Sequence, residues 1–573
     1  MKLPAFPLLH PILIGTCCLF LVACHTTNPP KNDQSGGDSL KVTTFTVEAE
    51  TTKTSDKLPA NWDTCTACFP KPQKGFTPVL FEHNDAKPAA EETQFRKIAE
   101  IKSSQKSAPG GDTIPSKTNE KSNEKSDPKT AQKAAPAGVI FNSVIERVQP
   151  VGGQPNRMAD MSVARHGDII LYTGNTYGEL SLNGGVSWID LNPANIFPNY
   201  QSQSDVPQNP NYITTSQTGP LCCDQVVQYV PKYDLFIWVL VYIHNGPPSG
   251  SNLVRLAAAD GATVRASNGK SWKFWSFFSG TKKANETLPG VFLGLKGSLD
   301  FPDISVGNNS LYWSASQNSN SGKNGLLVVK IPLQDLVAGG TIHFTPTTPE
   351  FSVSAGGSHL SQDTGDEVFW AGHIRGATKD SLQIFSWKES QNIVVSHKVN
   401  INLWPGGNST TDPNHIAWTT EFPGNSITGA ARSNNNVSFA WTAGPNHNFP
   451  NTHIEIAKID IVNYKLINQS QIFGSTVAFA YPSIAANEDG EIGISCTFGG
   501  KDIFPTHGVG ILGDNMIHIS RLGEATMGEW GDYTTVRRSV DNPKFWDAMG
   551  YCFAKPTGQN TILKLPQYIQ FGR

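Results

Sequence analysis

The sequence predicts an all-β domain, a seven-bladed β-propeller (with six blades as the alternative), behind a disordered N-terminal tether. Three observations predict it. From residue 138 to 573, short apolar and aromatic runs alternate with Gly, Asn, Pro and Ser clusters, which is the pattern of strands and turns. Openings of one kind recur in that span about every 62 residues. Charged residues are only 16% of the chain, whereas Gly 52, Pro 39 and 10% aromatics favour turns and flat packing surfaces. The balance of 45 Lys+Arg against 48 Asp+Glu argues against nucleic acid as a partner. No stretch after residue 24 reaches the roughly 20 apolar residues that cross a bilayer, which argues against a channel or transporter.

Residues 1–23 read as a secretion signal. Lys2 gives a positive start, an apolar run follows, and Pro4, Pro7 and Pro11 would spoil a stable spanning helix. The run ends in Leu21-Val22-Ala23-Cys24, which resembles the lipobox of bacterial lipoproteins. That resemblance implies cleavage before Cys24, lipidation of Cys24, and a membrane partner through the lipid anchor. His25, rather than Asp, follows the cysteine. By the sorting rule of enterobacteria-like envelopes this implies the outer membrane, with the periplasmic or surface face left open. Each acyl methylene buried in the bilayer contributes about 0.8 kcal/mol, so several chains would anchor the protein for good.

Residues 24–137 read as a disordered linker. They are rich in Lys, Thr, Ser, Pro, Ala and Glu, and Ile101 to Ala137 holds no aromatic residue. Such a segment cannot bury enough apolar surface to offset its ordering entropy. A flexible chain of this length has a root-mean-square span of about 60 Å. Cys65-Thr66-Ala67-Cys68 has neither the further ligands of a zinc site nor the βαβ context of a redox motif, so a small disulfide loop is expected.

Residues 138–573 are the propeller. Each repeat opens with a short strand, passes a Gly or Asn turn and continues into a second apolar strand. Examples are MADMSVARHGDIILYTG from Met158, FPDISVGNNSLYWSAS from Phe301 and YPSIAANEDGEIGISCTF from Tyr481. Seven such openings lie between Asp160 and Thr534, and each interval has room for four strands. Sheets standing in a ring bury both faces and leave no long edge. The last unit offers only three strands, Tyr533–Arg538, Phe545–Phe553 and Ile562–Gln570, so Val139–Val148 is expected to supply the fourth. A pair of β-sandwiches is the competing arrangement, since short strands at even spacing also build those.

Ser181-Leu182-Asn183-Gly184-Gly185-Val186-Ser187-Trp188 resembles the Asp-box of bacterial sialidases and related propellers, with Asn183 at the Asp position. A degenerate copy runs from Ser267 to Trp272. The resemblance to the sialidase-like propeller superfamily covers about residues 138–573. It implies a hairpin in which Ser181, Asn183, Gly185 and Trp188 are structural, with the Trp packed between blades. It therefore argues fold and not chemistry.

Sialidases hold the sugar carboxylate with three arginines, and the fork of Arg suits a carboxylate. Arg157 falls in the register of the first of these, but it lacks the preceding aromatic and the following Pro of the family motif. The stretch from Thr173 to Glu179, where the family places its acid, holds no Asp. A working sialidase is therefore not expected. The candidate ligand-binding residues are Arg157, Asp160, Asp224, Asp303, Arg375, Asp532 and Arg537; Arg255, Arg432 and Arg538 stand behind them. The four Asp recur near the starts of first strands, which line the channel. They would suit a cation such as Ca2+, or else simply accept backbone N–H bonds. No other cofactor motif is present. Loop aromatics Tyr200, Tyr212, Trp404 and Trp418 are candidates for stacking on sugar rings. Cys222 and Cys223 are open to a vicinal disulfide, and Cys496 and Cys552 to either pairing or two buried thiols. The expected function is a lipid-anchored envelope propeller that binds a glycan or a protein. The alternatives are a divergent glycosidase or polysaccharide lyase, and a structural or assembly factor without a small ligand.

Overall fold

The computed structural model describes residues 38–52, 139–146 and 159–573, apart from short loops in the last span (203–211, 216–217, 245–250, 283–287, 319–323, 376–378, 408–409, 420–425, 447–448, 475, 515, 527–529 and 557). The signal, Cys24, the Cys65–Cys68 loop and Arg157 lie outside the described residues.

Antiparallel four-stranded units follow one another along the chain. The first is Ser162–His166, Ile169–Gly174, Tyr177–Ser181 and Ile189–Leu191. The second opens at Thr218–Val230 and runs to Lys273–Phe278. The third runs from Ser298–Val306 to Ile342–Pro346, and the fourth from Val353–Ser354 to Ile393–Asn400. The fifth is Gly429–Ser433 to Lys465–Ile472. A seven-stranded sheet completes the set. In it Ala478–Ala486, Ile492–Gly500 and Ile503–Ile511 meet the last four strands through the single pair Thr506↔Cys552.

The first strands of successive units stand side by side and are tied by hydroxyls. Ser162 Oγ donates to Val227 O (3.3 Å), Ser305 Oγ to Ser361 O (2.6 Å) and Thr428 Oγ1 to Pro482 O (2.9 Å). Thr534 Oγ1 donates to Tyr481 O (3.3 Å), and Thr535 Oγ1 to Met161 O (2.6 Å). Asn252 Nδ2 donates to Leu299 O (2.6 Å) between the second and third units and Gln362 N to Ala430 O (2.9 Å) between the fourth and fifth, and the last hydroxyl bond returns to the first unit, so the sheets form a closed ring, a propeller and not a pair of sandwiches. A short hydroxyl that bonds a neighbouring backbone satisfies a buried polar group without taking core volume. Between the sheets lie the large side chains: Trp238, Trp275, Trp313, Trp387, Trp441 and Trp546 are fully buried.

The closing sheet is shared between the two ends of the domain. Thr535–Arg538, Phe545–Ala554 and Leu563–Gly572 pair in order, and Ile140–Glu146 pairs with the last of them, from Gln567↔Glu146 to Gly572↔Ile140. Ile145 is buried against Gly185, which has φ +92°; a Cβ there would sit 2.2 Å from Ile145 Cδ1. The Ser181–Trp188 turn therefore has a reason for glycine that is both conformational and steric. Trp188 Nε1 donates to Gly185 O (3.0 Å), and Asn183 Oδ1 accepts from Ser187 N (2.8 Å). The degenerate turn repeats the bond: Trp272 Nε1 donates to Gly269 O (2.8 Å).

The reading of residues 24–137 as a disordered linker is corrected at one place. Asp38–Lys41 pairs with Ile393–Ser396 of the fourth unit, and Phe45–Val47 with Ile342–Phe344 of the third. Glu50–Thr51 pairs with Lys273–Phe274 of the second. Val42-Thr43-Thr44-Phe45-Thr46-Val47 is a β-branched and aromatic run with strand propensity. Composition taken over more than a hundred residues diluted it.

Candidate functional site

The channel has two mouths, one where the first strands begin and one where they turn back into the second strands. The sequence placed its carboxylates at the beginning, and Asp160 and Asp224 come within electrostatic reach of each other there. Asp160 is buried, takes φ +37°, and accepts from Asn175 Nδ2 (2.7 Å) and Asp532 N (2.5 Å). Burial pushes its carboxyl up to about 6. Burial raises Asp224 well above the usual carboxylate range, with the negative charges of Asp160 and Asp300 adding to the effect. Asp303 accepts from Leu360 N (2.8 Å) and meets Arg537 Nη2 at 3.4 Å. Among the described residues no three His, Cys, Asp or Glu side chains lie close enough to hold a metal ion. Of the two roles open to these carboxylates, backbone acceptance is the one seen: Asp160 and Asp303 take backbone N–H groups, with Asn175 and an arginine as their side-chain partners, and burial holds Asp224 toward its neutral form. The axis itself is filled by three rings, with Phe301 against Tyr533 (5.1 Å, 88°) and His359 against both.

Arg375 stands apart from the others, on the rim, where Nη2 donates to Asn324 O (2.9 Å). Trp404 and Trp418, by contrast, are not on a rim. Each is about 2% exposed or less, Trp404 between His373 and Trp441 and Trp418 between Tyr481 and Trp530. The side chains of Tyr200 and Tyr212 lie outside the described residues. Cys222 and Cys223 are bonded to each other, and Cys496 and Cys552 are separate buried thiols.

The opposite mouth holds a cavity of about 650 Å³. The turn ends of first strands line it: Arg165 from the first unit, Gln228 and Lys232 from the second, Gln362 and Asp363 from the fourth, and Arg537 and Arg538 from the last. Most of its charges are paired. Arg538 Nη2 meets Asp363 Oδ1 (3.2 Å), and Asp363 also accepts from Ala486 N (2.8 Å). Burial pushes Asp363 up to about 6 even so, against the pull of Arg538 and Arg537. Arg165 Nη1 donates to the Tyr568 hydroxyl (2.7 Å), which donates in turn to Asp547 (2.5 Å). Two groups at the floor are buried and unpaired: Nε of Arg537, a donor, and Oε1 of Gln228, an acceptor. Leaving such groups unsatisfied costs about 1–3 kcal/mol each, so a ligand or water that pairs them is favoured.

Of the sequence candidates, this mouth gathers Arg537, with Asp303 directly behind it, and Arg538. Sequence reasoning missed Arg165, Gln228, Lys232 and Gln362. The signal is present in the aligned openings: these residues fall just before or inside the turn after each first strand, whereas the recurring Asp mark the starts of those strands.

No family model and no curated protein matches the chain. Among solved structures it is similar to a GH93 α-L-arabinofuranosidase of Fusarium graminearum in complex with arabinobiose (12% identity over 75% of this chain and 97% of that one, TM-score 0.35). It is also similar to the Trypanosoma rangeli sialidase in complex with sialic acid (8%, 60% and 53%, TM-score 0.33) and a Penicillium chrysogenum α-L-arabinanase (11%, 60% and 92%, TM-score 0.32).

Proposed function

We propose that the protein is a lipid-anchored, seven-bladed, sialidase-like propeller of the cell envelope, with Asp-boxes at Ser181–Trp188 and Ser267–Trp272, that binds a glycan at the turn-side mouth. The seven-stranded sheet counts as two blades, because one residue pair joins its halves. The carrying observation is the lining of the mouth cavity, where Arg537 and Gln228, each with one buried polar atom left without a partner, stand among further polar side chains. Hydroxyl groups both donate and accept, so a saccharide satisfies both.

One observation favours a glycosidase, namely the Tyr568 hydroxyl held between Asp547 and Arg165. Tyr568 is only 1% exposed, however, and burial pushes its phenol well above the usual range. A nucleophile needs the reverse shift and a path to substrate, so binding is the better reading.

The intact chain, solubilised in detergent, is expected to bind members of a glycan array and to leave fluorogenic glycosides uncleaved. Lys232→Ala and Arg538→Ala should each weaken the best glycan about tenfold, the effect of a lost charged hydrogen bond. Turnover of any glycoside would replace the binding reading with an enzymatic one, and silence on both assays would favour an assembly role. For the anchor, Cys24→Ala is expected to move the protein from the membrane pellet to the soluble fraction. Retention in the pellet would remove the lipid from the proposal.

A further inference from the structure

We propose that residues 38–52 are a clasp: an N-terminal strap that caps the outer edges of three consecutive sheets and must be seated for the ring to keep its stability. An outermost strand leaves a row of backbone N–H and C=O groups unpaired, and such edges invite pairing with other chains. Here one extended segment covers three of them, running backwards from the fourth sheet to the third and then the second.

The seat is more than backbone. Val47 is 5% exposed and belongs to the same core as Ile342, Phe344, Trp275 and Trp313. Phe45 stacks on Phe344 at 5.7 Å. The links between sheets are also fixed: Val42 N donates to Asn392 O (3.1 Å), and Thr44 and Thr345 share a hydroxyl bond (2.8 Å). At the far end Thr52 N donates to Trp272 O (3.1 Å) and Trp272 N to Thr52 Oγ1 (3.0 Å), so the strap finishes on the degenerate box turn. Glu50 accepts from Ser276 Oγ (2.8 Å), and Ser276 stands opposite the fully buried Arg255 across the strand pair. The strap thus brings a carboxylate toward a guanidinium that the second sheet keeps out of water; burial raises the Glu50 pKa, and the Ser276 bond and the Arg255 charge partly oppose that rise.

A loose tether and a clasp respond differently to point changes. Val47→Asp places a charge in the core and should unseat the strap, lowering the melting midpoint of the intact protein by about 5 °C. It should also raise hydrogen exchange at Ile342–Phe344 about tenfold or more. Leu40→Ser alters a side chain that is 44% exposed and should change neither reading. In a chain lacking 38–52, a synthetic peptide of that segment should restore the midpoint in a concentration-dependent way, and a Val47→Asp peptide should not. In the unmodified protein the amides of Ile342–Phe344 should exchange as slowly as those of interior strands. Fast exchange there, or a Val47→Asp variant that melts with the parent, would overturn the clasp. None of these readings depends on what the mouth binds.

Discussion

Removing residues 138–149 is expected to abolish cooperative unfolding of the propeller, although the cut lies far along the chain from most of the strands it would disturb. Ile140–Glu146 is the outer strand of the closing sheet, and its partner Leu563–Gly572 carries Tyr568, Ile569 and Phe571, each at most 1% exposed. Ile145 alone is worth about 2–5 kcal/mol if truncated to Ala. Phe141 packs edge-on to the His518 ring at 5.3 Å, and Phe141, Val139 and Val144 pack on the cluster around Trp546 and Val536. Glu146 is paired with Arg521 at 3.0 Å. These losses together match the whole stability of an ordinary domain, about 5–15 kcal/mol. The ring also shares its core from sheet to sheet, so the damage does not stay in one sheet. Calorimetry of the deleted chain should show no sharp transition. A midpoint within about 2 °C of the parent would mean that the ring holds without its shared sheet.

The graded test is Ile145→Ala, which keeps the strand and empties one pocket. Gly185 and Trp188 border that pocket, so the Ser181–Trp188 turn should loosen with it, and amide exchange at Ser187 is a direct measure. A drop in stability confined to the closing sheet, with Ser187 unchanged, would separate the two features.

Much of the fold was legible because its physical causes are local. A turn needs Gly or Asn, a buried strand needs a short apolar run, and both recur at one spacing. The strand shared from Val139–Val148 could be read by arithmetic, since the last unit was one strand short. The clasp was not legible. Val42–Val47 has strand character, but its partners lie about 300 residues away and nothing in its own sequence points to them. The hydroxyls that tie the first strands were also hidden, because one Ser or Thr looks the same whether it faces solvent or a neighbouring carbonyl.

The site was legible in part, for a related reason. Asp160, Asp224 and Asp303 were found because they repeat, yet a repeat marks what every blade needs, and what every blade needs is structural. The mouth is built from residues that differ between blades at one register: Arg165, Gln228, Gln362 and Arg537. Ligand recognition breaks the symmetry of a ring, so the informative positions are the aligned ones that fail to match.

Asp303 shows how support and site meet, and its replacement should have the second largest effect. Its carboxylate is 1% exposed and stands 3.4 Å from Arg537, whose guanidinium is 11% exposed and is held below its usual pKa by burial. Deleting one member of a buried pair leaves the other charge uncompensated, at about 3–5 kcal/mol. Asp363 also attracts Arg537 and Leu360 N loses its acceptor, so the two corrections oppose each other and Asp303→Ala should fall near 3 kcal/mol. Asp303→Asn keeps the acceptor and the volume while removing the charge, so it should cost about half as much. Replacing both partners by apolar residues, Asp303→Leu with Arg537→Met, should recover most of the stability, because neither charge is then left in the interior. The double variant should still bind no glycan, since the mouth has lost its floor donor. Urea unfolding and the glycan array give the two readings on one set of proteins. A double variant that is stable and binds like the parent would take Arg537 out of the site, and an Asp303→Ala variant within 1 kcal/mol of the parent would mean that the pair supports nothing.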